Sequence, residues 1–146
     1  MAYDPYKGNE GKTIMAKITA EMKSMINANQ CFVATSDKTG KPNGGPKKST
    51  KVLDDETLLF IEATGRKTLE NIKENPLVAI AVVDKERLVG FRFFGHAKII
   101  TSGHEFEYAK QLALHANRPA PKAVITVKVE EIYNLKPGET AGQRIG

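Results

Sequence analysis

Apolar residues recur at two different spacings along this chain, and the switches between them outline its elements. Ile14, Ile18, Met22, Met25 and Ile26 follow one another at steps of three and four, which predicts an amphipathic helix over 12–28 with Asn27 and Asn29 as its stop. The period then shortens. CFVATS (31–36), PKKSTKVL (46–53) and TLLFIEA (57–63) read as strands, separated by the turn formers of DKTGKPNG (37–44) and by Asp54-Asp55. Pro46 suits the edge of a strand better than its centre.

A short helix is expected over 64–76, TGRKTLENIKENP, closed by Asn75-Pro76. LVAIAVVD (77–84) has the composition of a strand buried on both faces, and LVGFRFFGHAKII (88–100) is a long strand interrupted by Gly90 and Gly95. Ser102 and Glu105 are spaced as a capping box, opening a helix that runs to about Asn117 and stops at Arg118-Pro119. AVITVKVEEIYNL (123–135) alternates as a last strand.

Most links between these strands are too short to hold a crossover helix, so antiparallel pairing is expected to dominate. Six strands with few helices point to a mainly β, α+β fold in which the sheet closes or nearly closes into a barrel. The 146 residues fit one domain, with 1–11 as a polar lead-in and 136–146 as a tail. A chain of this length buries roughly 68–70% of its unfolded surface and needs no disulfide or metal to fold.

Charge adds something. Twenty-two Lys and Arg stand against seventeen Asp and Glu, a formal net charge of +5. Lys38, Lys41, Lys47, Lys48 and Lys51 cluster around a single acid, Asp37, and Arg66 and Lys67 follow one strand later. That arrangement suits an anionic ligand or simply a solvated hairpin. The single cysteine, Cys31, lies in an apolar run and is expected to be a buried thiol. No stretch reaches the roughly 18 apolar residues of a membrane helix. The acidic, h-region-free start MAYDPYKGNEGK does not read as a secretory signal, so a cytoplasmic location is expected.

The most informative segment is EATGRKTLENIKENP, 62–76. Free N–H groups and the dipole make a helix N-terminus attractive to anions and unfavourable for cations. Arg66 and Lys67 stand at that end nonetheless. A bound phosphate resolves the conflict; the alternative is that both side chains reach into solvent.

The string PNGGPKKSTKVLDDETLLFIEATGRKTLENIKENPLVAIAVVD (42–84) resembles the small FMN-binding split-barrel proteins related to pyridoxamine 5'-phosphate oxidase. VGFRFFGHAKI (89–99) and IYNLKPGETAGQRI (132–145) are similar to their counterparts, so the resemblance runs from about residue 20 to the end. It implies a six-stranded antiparallel split β-barrel with flanking helices, binding FMN as an oxidoreductase or electron carrier with donor and acceptor unidentified. It also implies that Arg66, Lys67 and Thr68 hold the FMN phosphate, and that Glu62, Ala63 and Thr64 line the ribityl chain and phosphate. Pro46, Lys47, Lys48 and Ser49 would run beside the ring, with Lys47 or Lys48 near its N1–O2 edge. The family pairs two chains around the cofactor, which implies a homodimer with FMN at the subunit interface and Gly90 and Phe91 approaching from the partner. The Arg118-Pro119 turn is a further candidate for that approach. Phe91 also reads as ordinary core.

The departures are informative. Pyridoxamine 5'-phosphate oxidases proper hold the vitamin with an Arg/His-bearing C-terminal segment and a nearby tryptophan. This sequence has no tryptophan and no histidine in its tail, where Gln143 and Arg144 stand, which argues against that activity. His96, His104 and His115 share no metal-ligand spacing with one another or with Cys31, so no metal site is expected. A deazaflavin- or haem-binding split barrel is the alternative, with His96 as the haem-ligand candidate. A nucleic-acid-binding barrel would use the lysine-rich hairpin, but residues 37–51 carry no aromatic platform for stacking.

Overall fold

The computed structural model describes residues 16–146. Helix α1 (Ala20–Ala28) is followed by β1 (Cys31–Ser36), β2 (Pro42–Pro46), β3 (Lys51–Asp54) and β4 (Thr57–Glu62). Then come α2 (Lys67–Glu74), β5 (Leu77–Asp84), β6 (Val89–Ile100), α3 (His104–His115) and β7 (Ala123–Asn134).

All seven strands form one antiparallel sheet in the order β2-β1-β5-β6-β7-β4-β3. Its two edges, β2 and β3, are neighbours in sequence, joined through residues 47–50. A chain spans at most about 3.6 Å per residue, so the sheet must curl until its edges approach within roughly 18 Å. The result is a split β-barrel with flanking helices.

Of the strand expected over 46–53 only Pro46, at the end of β2, and 51–53, in β3, are strand, while β2 falls mostly in the stretch expected to be turn, so the described residues hold seven strands rather than six. Backbone bonding explains the break. The Lys47 N–H makes the last bond of the β1–β2 register, to Cys31 O at 2.9 Å, and the chain then turns: the Lys47 carbonyl accepts from Thr50 N–H at 3.1 Å and from the Thr50 hydroxyl at 2.7 Å.

Three helix boundaries also differ from the sequence expectation. Residues 12–15 lie outside the described part of the chain. α1 starts only at Ala20, where Thr19 caps the first turn with Met22 sulfur answering its N–H, while Ile18 N–H donates to Asp55 O at 2.7 Å. The Ser102–Glu105 capping box does not form: Gly103 takes the N-cap place, and no side chain caps α3. At the other end α3 stops at His115. Asn117, with φ +53°, closes it as a Schellman motif, its N–H on Leu114 O and that of Arg118 on Ala113 O.

Residues 142–146 are not a free tail. They return along β7, with Asn134 N–H on Gln143 O, Ile145 N–H on Ile132 O, and Arg144 paired with Glu131 at 3.1 Å.

Phe60, Phe93, Ile18, Met25, Leu58 and Ile125 fill the barrel interior. A second, smaller cluster lies outside it, where α3 packs Ala109 and Phe106 onto Leu59, Ile61 and Val124. β4 is therefore apolar on both faces. β5 is not buried on both faces as expected, because among the described residues no helix covers its outer side and Val83 is 49% exposed.

Candidate functional site

Between β4 and α2 the chain turns at Gly65 in the left-handed region, φ +68°, and Arg66 holds the N-cap place without a side-chain hydrogen bond. The first-turn N–H groups of α2 thus lack a side-chain acceptor. Arg66 and Lys67 are exposed, and among the described residues neither is within 4.0 Å of an acidic group. Lys67 acts only weakly on Asp37, whose carboxyl is held below its ordinary range first by the Thr39 hydroxyl and then by the Lys41 N–H. Thr68 is buried, its hydroxyl accepting from Asn43 Nδ2 at 3.4 Å.

The orientation of α2 is fixed by a polar seam against β1. Asn71 Nδ2 donates to the Thr35 hydroxyl at 3.1 Å, and Asn75 Nδ2 to the Ser36 hydroxyl at 2.9 Å. A third cation joins the helix end. Lys122, adjacent to β7, donates its N–H to Glu62 O, and its side chain lies over Gly65.

Three residues before Arg66, Ala63 lines a cavity of about 390 Å³. One wall is the β2–β3 turn and the β3–β4 pair, through Lys48, Ser49, Lys51, Ile61 and Ala63; the other is the C-terminal end of α3 and its Schellman turn, through Leu112, Ala113, His115, Ala116, Arg118 and Pro119. The floor is apolar, the rim is cationic, and no acidic residue lines it. His115 Nδ1 donates to Gln111 O at 2.7 Å, leaving Nε2 as its free ring nitrogen.

The structure separates the two candidate lysines. Lys48 lines the cavity. Lys47 turns the other way into the barrel, where it pairs with the buried carboxylate of Glu62. Ser49 is clipped to β4, its hydroxyl oxygen accepting from Ile61 N–H at 2.9 Å. Pro46 ends β2 and is exposed, as is Thr64.

Gly90 and Phe91 are buried within their own chain. A β-carbon on Gly90 would stand 2.8 Å from Val83 Cγ1, and Phe91 packs in the core with its ring centroid 6.5 Å from that of Phe93. His96 pairs with Glu130 on the exposed outer face of the sheet. The Tyr133 hydroxyl donates to Glu131 at 2.8 Å, and burial, then Glu131, pushes its pKa up.

Lys122, His115 and the 112–116 part of the α3 wall were not identified as site residues from sequence, whereas Lys51 belongs to the expected lysine cluster and the Arg118-Pro119 turn, a candidate for approach from a partner, lines the cavity of its own chain. Strand pairing of Glu62 with Ala123 brings Lys122 to the α2 turn, and nothing local to Lys122 signals that. Among the described residues no three potential metal ligands cluster, and no helix is long and apolar enough to cross a membrane.

The family profile described as pyridoxamine 5'-phosphate oxidase matches residues 18–136. An uncharacterised protein of Methanocaldococcus jannaschii is 34% identical over 135 residues, covering 90% of this chain and 89% of its own length. HupZ of Group A Streptococcus superposes with a TM-score of 0.79 at 46% identity, over 86% of this chain and 99% of that one. An FMN-binding protein of Syntrophomonas wolfei shares the fold at 21% identity, with a TM-score of 0.69 over 80% of this chain and 85% of its own.

Proposed function

The chain belongs to the pyridoxamine 5'-phosphate oxidase family, and from that premise we propose that it is an FMN-binding flavoprotein acting as an oxidoreductase or electron carrier. The observation that carries this reading is the uncapped start of α2, where Arg66 and Lys67 have no acidic partner among the described residues and Lys122 lies alongside. A phosphate there would satisfy free N–H groups and offset three like charges at once.

The residues present fit the rest of such a ligand. The neighbouring cavity, about 390 Å³, is in the usual range for small-molecule sites and offers an apolar floor to a flat ring. When bound, FMN supplies one- and two-electron chemistry that side chains lack. The protein's part is then to hold and tune. Arg66, Lys67 and Lys122 would hold the phosphate, Ile61 and Ala63 would exclude water from the ring, and Lys48 places a positive charge on the cavity wall.

The wild-type protein tests this directly. Its chromophore, released by denaturation and identified by mass, is expected to be FMN, and the apoprotein is expected to quench the fluorescence of added FMN. A colourless preparation that takes up none would overturn the reading, and a haem or deazaflavin chromophore would replace it. A homodimer goes with the proposal, supported by the uncovered outer face of β1 and β5.

A further inference from the structure

The β2–β3 turn is gripped by two adjacent residues of β4, one through its backbone and one through its side chain. Along the strand edge Ile61 N–H is bonded to Ser49. On the inner face Glu62, 1% exposed, forms an ion pair with Lys47, whose side chain is 20% exposed. The ammonium also lies 5.9 Å from the centroid of the Phe60 ring. The ammonium meets Glu62 at Oε1, and no second donor reaches that oxygen among the described residues.

A pair of this kind is a poor source of stability. Desolvating two charges offsets much or all of their attraction, and apolar residues of similar volume often serve a fold as well or better. What the pair does provide is direction. With Lys47 drawn inward and Ser49 clipped to Ile61, Lys48 and Ser49 both come to line the cavity.

We infer that Glu62 is a positioning residue of the cofactor site: its buried carboxylate anchors Lys47 and so sets the Lys48–Ser49 wall beside the flavin ring. This rests on the flavin reading above.

The test removes both charges together, as Glu62→Leu with Lys47→Met, so that neither is left buried alone. Hydrogen exchange of the Thr50 and Ile61 amides is expected to accelerate at least tenfold, with β6 and β7 still protected. FMN affinity, read from flavin fluorescence, is expected to fall at least tenfold. Lys47→Arg, which keeps the pair, should stay within about twofold of wild type in both. Should the double variant not fold, Glu62→Gln carries the same two readouts.

Unchanged exchange in a folded variant overturns the inference regardless of flavin. Faster exchange with unchanged FMN affinity overturns it too and leaves the flavin reading standing. Wild-type protein that binds no FMN sinks the flavin reading, and the role given to Glu62 with it.

Discussion

The side chain of Lys122 lies across Gly65: a β-carbon on that glycine would stand 3.0 Å from Lys122 Cδ and 3.3 Å from Leu69 Cδ2. The glycine also sits at φ +68°, where any other L-residue is strained. Gly65→Ala therefore meets two penalties, the left-handed backbone and a displaced lysine stem. The left-handed conformation alone costs about 1–2 kcal/mol. A loss of at least that size in urea unfolding is expected, together with weaker FMN binding as Lys122 is pushed from the helix end.

Arg66 and Lys67 invite the opposite pattern, lost binding without lost stability. Both side chains are exposed, and replacing exposed side chains usually changes stability by no more than about 0.5 kcal/mol. A hydrogen bond to a charged group is worth about 1.5–3 kcal/mol, so two such contacts amount to roughly 100-fold or more in affinity. Arg66→Ala with Lys67→Ala is expected to retain the wild-type melting temperature and lose FMN on gel filtration. Wild-type retention of flavin by the folded variant would place the phosphate elsewhere.

The barrel was readable in the sequence wherever one strand face meets the core. CFVATS became β1 with Cys31, Val33 and Thr35 buried, and the Gly65-Arg66-Lys67 turn into α2 was legible because glycine and misplaced cations each carry a local signal. What escaped depends on contacts between distant segments. Nothing in PKKSTKVL announces that Thr50 bonds back to the Lys47 carbonyl and makes a turn of 47–50. Met22 is not an ordinary capping-box acceptor, so α1 was started too early. Ser102 and Glu105 have the right spacing, yet Gly103 took the cap. The α3 wall of the cavity follows from α3 packing on β4 and β7, which local periodicity does not encode.

Cys31 gives a prediction in alkali. Burial pushes its thiol from 9.0 up to about 11, outweighing the Thr50 hydrogen bond and the Lys51 charge that pull it down. Between pH 9 and 11 the unfolded chain gives up this proton while the folded chain keeps it, so stability falls as pH rises. A two-unit shift corresponds to about 2–3 kcal/mol across that window. Tyr133, also shifted up, weakens the fold in the same direction but is common to wild type and variant. Cys31→Ala should be less stable than wild type at pH 8 and close the gap by pH 11, and equal slopes for the two proteins would refute the assignment.

The outer face of β1 and β5 carries the argument for a second subunit. Phe32 is 50% exposed and Val83 49%, and both point away from the barrel where strand alternation also places Ala34, Ala79 and Ala81. Phe32 stands opposite Ala81 in the register, so these apolar side chains form a continuous strip. α3 covers β4 and β7, but among the described residues no helix covers this side, and apolar strips left open on a sheet commonly mark an interface. Charge placed there should be harmless to the barrel and costly to association. Phe32→Glu with Val83→Lys is expected to keep the unfolding midpoint of an isolated subunit while shifting sedimentation from dimer to monomer. If FMN lies at the subunit interface, the same variant should also lose flavin. A folded monomer that binds FMN as tightly as wild type would show that one chain makes the whole site.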